Sequence, residues 1–237
     1  MFLKRNLCLL GTAFLAIGML SVRGDDGTWT STAAGAWSTP ANWSGGTIAD
    51  GPGSTANFGT LDLLSDVAVT LDKARTKGNL IFSDVDTNTP ANWLLSGGPL
   101  TLSGASPTIT VNNLAPNSSA WISAVLTGQG FIKNGNATLT LSAANTIVGT
   151  NQLNDGILVW SNATALGGVS NVIQFNGGAI QFAGGAPALN LTNMLVSSVA
   201  RIISPGTYDN FMAGGGQIIG DANSMIRITA SVRFTPG

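Results

Sequence analysis

The sequence contains no histidine and no glutamate, and its one cysteine, Cys8, lies in an apolar N-terminal segment. Without histidine, and with no cysteine after residue 8, the Ser-His-Asp and Cys-His nucleophile systems and the usual zinc sites are excluded. Charged residues make up only 9% of the chain, and the net charge is −1. Such a chain lacks the concentration of basic residues that binds the phosphates of DNA or RNA. We therefore expect no nucleic-acid partner, no metal and no cofactor.

The N-terminus has the layout of a secretory signal peptide. A short basic region precedes an apolar run over residues 7–20, and small residues follow at Val22 and Gly24. As a helix the run would span only about 21 Å, which is short of the roughly 30 Å hydrocarbon core of a bilayer. We predict cleavage after Gly24, so that the mature chain begins at Asp25 without a stable transmembrane segment. The predicted location is extracellular or on a bacterial cell surface.

Glycine is abundant, with 31 residues, and the apolar fraction of 44% is that of a packed protein. Short apolar bursts rich in Thr, Val and Ile alternate with Gly-Gly, Asn-Gly and Pro-Gly turns, which favours strands over helices. We expect almost no helix after residue 24. The bursts lie at residues 79–82, 99–102, 108–111, 138–141, 156–159, 172–175, 179–182, 201–203, 217–219 and 225–228.

The bursts recur at regular spacing. The tract GPLTLSG at residues 98–104 resembles NATLTLSA at 136–143, and we interpret the 39 residues from Leu102 to Leu141 as two coils. Later burst centres follow in steps of 18 to 25 residues. A period of about 20 residues predicts a solenoid, because one such coil cannot bury its own apolar face and stacking does. Asparagine recurs at the turns, where aligned amides could form ladders; the turn residues are Asn112, Asn113, Asn134, Asn145, Asn151, Asn154 and Asn176.

One stretch carries a family resemblance. Residues 135–167 read GNATLTLSAANTIVGTNQLNDGILVWSNATALG, which resembles the autotransporter-associated β-strand repeat. The pattern of that family has Leu-Thr-Leu-Ser-Gly-Ala-Asn-Thr-Tyr, a glycine turn, an Asn/Gly turn and a Leu-x-Leu strand before Ala-Leu-Gly. The sequence departs from it at Ala143, Ile147 and Asp155.

The resemblance implies an all-β, right-handed parallel β-helix that is exported and displayed at the cell surface as a stalk or secretion aid. The repeat itself has no catalytic residues. The expected organisation is a signal peptide at 1–24, a Trp-rich N-terminal cap with the first coils at 25–78, and β-helix repeats at 79–237 that are incomplete at the C-terminus. Cell-surface glycans and an outer-membrane translocator are the expected partners.

Aromatic residues mark one candidate site. Trp29, Trp37 and Trp43 lie within 15 residues of one another. An exposed row of indoles could stack on sugar rings, which makes these three residues candidates for glycan contact. Because AWSTPANW is irregular and broken by proline, we favour a cap in which the three side chains cover the open end of the solenoid.

Carboxylates are the other chemistry that the composition allows. Polysaccharide hydrolases use paired acids, and lyases use calcium with a basic residue. The candidates are Asp25 with Asp26, Asp62 with Asp66, Asp84 with Asp86, Asp72 beside its basic neighbours, and Asp155, Asp209 and Asp221. We interpret Asp84 and Asp86 as part of a polar turn, and the basic run at residues 73–77 as a solvated turn.

Taken together, these observations favour a secreted or surface-displayed structural β-helix with an adhesive role, which is not an enzyme. A glycan-binding module and a polysaccharide-degrading β-helix enzyme are the alternatives.

Overall fold

The fold is a parallel β-helix in which short strands of successive coils stack into three sheets. The computed structural model describes residues 24–182 and four later strands, at 193–196, 199–203, 217–220 and 225–229. The signal-peptide prediction falls on residues outside this part of the chain. The described helices are two short 3-10 turns, Pro40–Asn42 and Ser44–Gly46, which agrees with the expected scarcity of helix.

Strands are numbered in chain order. The first sheet is formed by β1 (Gly27–Thr28), β3 (Thr55–Phe58), β6 (Asn79–Phe82), β9 (Thr108–Val111), β12 (Ile132–Asn134), β15 (Thr150–Leu153), β17 (Val172–Phe175), β19 (Asn193–Val196) and β21 (Gln217–Gly220). The second is formed by β2 (Gly35–Ala36), β4 (Val67–Leu71), β7 (Trp93–Gly97), β10 (Ser119–Ile122), β13 (Thr138–Leu141), β16 (Ile157–Trp160), β18 (Ala179–Phe182), β20 (Val199–Ile203) and β22 (Met225–Thr229). The third is formed by β5 (Arg75–Lys77), β8 (Leu100–Leu102), β11 (Leu126–Gln129) and β14 (Thr146–Val148).

Each coil contributes one strand to a sheet, and the named strands pair in parallel. In the second sheet Ala120 pairs with Leu139, and Leu139 with Leu158. Further along, Leu158 pairs with Ile180 and Ile180 with Ile202. Equivalent residues in this stretch are therefore about 20 residues apart, as the spacing of the bursts predicts.

The core lies between the sheets and is built by strand alternation, because successive side chains of a strand point to opposite faces. In β13, Leu139 and Leu141 are buried and belong to one continuous apolar cluster that runs along the axis. In the first sheet Phe58 pairs with Phe82, and their rings stack with centroids 5.0 Å apart. Stacking coils thus buries an apolar face that no single coil could bury.

The structure corrects the alignment of the two LTLS tracts. Leu102 ends β8 in the third sheet and pairs with Gly128, whereas Leu141 ends β13 in the second sheet and pairs with Ile122 and Trp160. The tracts are alike because both are buried strands, and they do not occupy equivalent positions in two coils. Their separation of 39 residues therefore does not measure two turns of the helix.

The predicted ladder of asparagine side chains forms beside the first sheet. Asn154 Nδ2 donates to Asn134 Oδ1 at 2.8 Å, and Asn176 Nδ2 donates to Asn154 Oδ1 at 2.8 Å. Among the turn asparagines named above, Asn113 is the described one with a positive φ, at 44°. Side-chain hydrogen bonds are formed instead by Asn134, Asn145, Asn151, Asn154 and Asn176.

Candidate functional site

The three N-terminal tryptophans form the closed end of the aromatic core. Trp29 and Trp37 are 0% exposed and Trp43 is 2% exposed. Trp43 packs edge-on against Trp29 with ring centroids 5.2 Å apart, and Trp37 lies 5.5 Å from Phe58. The cluster therefore continues the stack of aromatic rings that begins inside the coils.

Hydrogen bonds also hold these indoles inside the cap. Trp37 Nε1 donates to Ala49 O at 2.8 Å, and Trp43 Nε1 donates to Trp37 O at 2.7 Å. Trp29 Nε1 donates to Ser31 O at 2.7 Å. Because ring faces and N–H groups are both occupied, the three residues offer no stacking platform to a sugar. All three indoles are therefore buried at the N-terminal end of the described coils.

The basic run at residues 73–77 is not a solvated turn, and this interpretation was wrong for two of its members. Arg75 and Lys77 begin and end β5, where they point inward and are buried. Arg75 Nη1 bonds Asp50 Oδ2 at 2.6 Å, and its Nη2 donates to Ser38 Oγ. These contacts tie the third sheet to the cap. Inward basic residues do not look like an apolar burst, so β5 could not be found from hydrophobicity.

Two buried lysines stand out electrostatically. Lys77 Nζ donates to Ser54 Oγ at 2.6 Å, and Lys133 Nζ donates to the carbonyls of Asn134, Gly135 and Asp155 at 2.9, 2.7 and 3.1 Å. Burial lowers the pKa of both Lys77 and Lys133 to about 8. Both amines are enclosed by oxygen atoms of the protein, so their role is to stabilise the structure through hydrogen bonds.

Gly156 explains how Lys133 fits. This glycine has φ of 69°, and a Cβ placed on it would lie 2.4 Å from Gly135 O and 2.8 Å from Lys133 Nζ. Only glycine satisfies both the left-handed backbone and the close approach. At this position the Asn/Gly turn of the repeat motif therefore lies directly against the neighbouring coil.

The candidate acids are mostly used as acceptors for backbone N–H groups. Asp26 accepts from Thr55 N at 2.6 Å, Asp66 from Asn92 N at 2.8 Å and Asp155 from Gly156 N at 2.7 Å. Such bonds fix turns between coils, as side-chain acceptors commonly do. Asp209 and Asp221 lie outside the described residues.

Asp84 differs from the predicted polar turn residue because it is buried. Its Oδ1 accepts from Leu63 N at 3.0 Å and from Asp86 N at 3.3 Å. Asp86 itself remains exposed and accepts from Asn88 N at 2.9 Å. The pair therefore holds loop backbone together, and it does not present two free carboxylates to a substrate.

Asp50 and Asp72 flank the buried Arg75. Burial alone would raise the pKa of Asp50, but hydrogen bonds from Arg75 and the Thr76 N–H outweigh it and lower the pKa. For Asp72 the slight burial is likewise outweighed, chiefly by hydrogen bonding to Ser38, so its pKa is also lowered. Both groups are ionised acceptors and poor proton donors at neutral pH.

Within the described ranges, no three or more His, Cys, Asp or Glu side chains come together in a group that could hold a metal ion. No helix in the same part of the chain is long and apolar enough to cross a membrane.

The outer face of the second sheet carries a groove of a different character. Trp121 of β10 is 44% exposed and donates from Nε1 to Ser142 Oγ at 2.8 Å. A cavity of about 460 Å³ opens beside it, lined by Asn92, Asn117, Ser118, Ser119, Trp121, Thr138, Thr140, Ile157, Val159, Ser161 and Gln181. None of these side chains carries a charge.

Sequence reasoning missed this groove, although a local signal was present. Ala120 and Ile122 are inward apolar residues, so the alternation of β10 places Trp121 outward. The cross-strand neighbours that complete the groove come from coils about 20 to 60 residues later in the chain, and only the register brings them together.

Comparison with known proteins gives one informative similarity. The chain is 32% identical over 191 residues, covering 77% of its length, to a protein described as "Adhesin BmaC autotransporter" from Brucella suis biovar 1 (strain 1330). This similarity supports an autotransporter-related family for the chain. It spans only 5% of the length of that relative. No protein-family model matches the chain, and no solved structure matches it.

The similarity and the fold point in the same direction. An autotransporter relative and stacked parallel coils both fit a structural or adhesive role at the cell surface. The similarity also supports the surface or extracellular location that the N-terminal layout predicts.

Proposed function

We propose that this chain is a segment of a surface-displayed structural β-helix, with a stalk-like and adhesive role and without catalytic activity. The observation that carries the proposal is the similarity to the Brucella adhesin, which extends over most of the chain. A continuous β-helix has the mechanical properties of a stalk, because each coil adds one strand spacing to its length and is held by backbone hydrogen bonds.

The repeat motif has a structural explanation that suits this role. Asn145 Oδ1 accepts from Leu126 N at 2.8 Å in the preceding coil, and its Nδ2 donates to Ala165 O at 2.7 Å in the following one. Asn171 acts similarly, since it bonds Gly149 N and Ile147 O at 2.9 and 2.7 Å. These buried amides join coils where the third sheet gives way to a turn. We propose, from the resemblance of residues 135–167 to its pattern, that the segment belongs to the autotransporter-associated β-strand repeat.

The use of the ionisable groups in the described part of the chain supports the proposed absence of catalysis. Most of the described acids accept backbone N–H groups through their side chains. The amines of Lys77 and Lys133 donate to oxygen atoms of the protein. A glycosidase needs two carboxyls facing one bond, one of them as a proton donor. We therefore prefer an adhesive segment, exported through a signal peptide and delivered by an outer-membrane translocator, to a polysaccharide-degrading enzyme.

Surface display is tested by labelling intact cells of the source organism with antibodies raised against residues 25–182. Labelling without permeabilisation is expected, together with its loss after external protease treatment. Labelling that requires permeabilised cells would contradict the proposed location.

Adhesion is tested with beads coated with the purified chain and offered to cultured host cells. Binding above that of beads coated with the heat-unfolded chain is expected. Equal binding by the two kinds of bead would contradict the adhesive role.

A further inference from the structure

The outer face of the second sheet presents two rows of side chains at matching register. Trp121 pairs with Thr140, Thr140 with Val159, and Val159 with Gln181. The parallel row contains Ser119, Thr138 and Ile157. From β7 to β18 the face crosses five strands, or roughly 19 Å at the usual strand spacing. A chain of several linked units can therefore lie across the coils.

Trp121 is exposed at a position where exposure is costly. The five other tryptophans are buried, and leaving an aromatic ring in water forgoes a large hydrophobic gain. Exposed aromatic side chains rimmed by polar groups commonly mark binding surfaces. Trp121 is the natural centre of such a surface here.

The indole is held in a fixed orientation. Its N–H donates to Ser142 Oγ in the next coil, and its register partner Thr140 is only 8% exposed although it points outward. The indole therefore extends toward the next coil and remains partly open to solvent. A ring that is already positioned loses little conformational entropy on binding a partner.

The lining determines the chemistry of the partner. It combines one aromatic ring with hydroxyl and amide groups, including Ser119, Thr138 and Gln181, and it contains no charged side chain. Hydroxyl and amide groups can donate to or accept from sugar hydroxyls. The axial C–H groups of a pyranose carry partial positive charge and stack on the negative face of an aromatic ring. An anionic polymer would instead require Lys or Arg, which this groove lacks.

The rim of the groove is rigid as well. Asn92 Oδ1 accepts from Ser119 N at 2.8 Å, while its Nδ2 donates to Asp66 Oδ1 at 2.9 Å. Asn117 has a φ of 67°, a left-handed conformation that is uncommon for residues other than glycine. The backbone entering β10 is thus fixed beside the ring.

We propose that this groove binds a neutral glycan chain, with one sugar ring stacked on Trp121 and the others hydrogen-bonded across β13, β16 and β18. This inference rests on the proposed adhesive function and names its ligand class and its surface. It moves the glycan contact from the buried N-terminal tryptophans to an indole that a sugar can reach.

The test measures binding of the purified full-length chain to neutral cello-, malto- and mannohexaose, with hexagalacturonate as the anionic comparison. The expected result is binding of at least one neutral hexaose, a blue shift of tryptophan emission, and no binding of hexagalacturonate. Trp121→Ala should weaken binding at least tenfold with an unchanged thermal midpoint, and Trp121→Phe should retain part of it. Val148→Ala, an exposed apolar residue on the third sheet, is the matched control and should bind like the wild type.

Several outcomes would overturn the inference. These are the absence of binding to all neutral hexaoses, equal binding by Trp121→Ala, preference for the anionic hexamer, or self-association of the chain that Trp121→Ala abolishes. The bead assay separates this inference from the proposed function. Cell adhesion that persists unchanged in Trp121→Ala would support the adhesive role and contradict the glycan groove. Glycan binding that depends on Trp121, without cell adhesion, would support the groove and contradict the adhesive role.

Discussion

At the scale of single residues, the sparse charges of this protein are used to join coils. Arg75 links β5 to Asp50 of the cap, and Lys133 gathers three backbone carbonyls from two coils. Buried carbonyls need donors, and a lysine can supply three N–H groups at once. A buried basic residue of this β-helix therefore joins the backbones of neighbouring coils by hydrogen bonds.

The lowered pKa values of Lys77 and Lys133 predict a dependence of stability on pH. Their pKa values are about 8 in the folded protein and near 10.5 when unperturbed. Between these values the unfolded state binds more protons, so the free energy of unfolding should rise from about pH 8 to pH 10.5. Each lysine adds at most about 3 kcal/mol to this rise in unfolding free energy. Urea unfolding at pH 7.5 and pH 10 measures the rise.

Lys133→Met should reduce this rise to the part that Lys77 supplies. Lys73→Met, at an exposed position beside β5, is the control and should keep the full pH dependence. A wild-type protein whose unfolding free energy stays constant or falls over this range would show that the two amines are not neutralised in the folded state.

At the scale of elements, each strand is specified twice, by inward apolar side chains and by polar groups at its turns. Leu139 and Leu141 fix the inward face of β13, and Asn134, Asn154 and Asn176 align the turns of neighbouring coils. A shift of one residue would expose the apolar set and break the ladder together. The register is therefore strongly determined.

Leu141→Asp should place an unpaired carboxylate in the apolar column and lower the free energy of unfolding by about 3 to 5 kcal/mol. Thr70→Asp is the matched control, because Thr70 lies in the same sheet on the exposed face. Urea titration of both variants measures the difference. Equal stability of the two variants would mean that the inward face of the sheet has been assigned to the wrong residues.

Asn154→Ala removes the central member of the amide ladder, with one hydrogen bond donated and one accepted. We expect a loss of about 1 to 2 kcal/mol in unfolding free energy. Asn88→Ala, in an exposed loop, should change stability by no more than about 0.5 kcal/mol. A ladder variant as stable as the loop variant would show that the solvent-facing amides contribute nothing.

At the scale of the whole molecule, the fold is an axial stack whose ends and sides have different roles. The tryptophan cluster closes the N-terminal end of the described coils, and the second sheet offers the groove beside Trp121. A stack of coils that is closed at one end leaves the outer faces of its sheets available for binding.

Because most of the described acids are engaged in bonds to backbone N–H groups, the purified chain should not cleave neutral or acidic polysaccharides, with or without calcium. Reducing-end release and absorbance of unsaturated products from polygalacturonate and glucans measure this. The matched controls are Asp72→Ala and Asp84→Ala. Cleavage by the wild type that either substitution abolishes would replace the adhesive proposal with an enzymatic one.

The sequence alone determined the class of fold, because alternation within bursts and their spacing are local properties of the chain. The strands at 79–82, 138–141 and 172–175 and the ladder through Asn154 could be predicted in this way. Tertiary structure decided which tracts share a sheet, since pairing joins residues about 19 to 34 positions apart. It also decided that Lys77 points inward and that Trp121 faces a polar groove, because a side chain's surroundings in a solenoid come from the neighbouring coils.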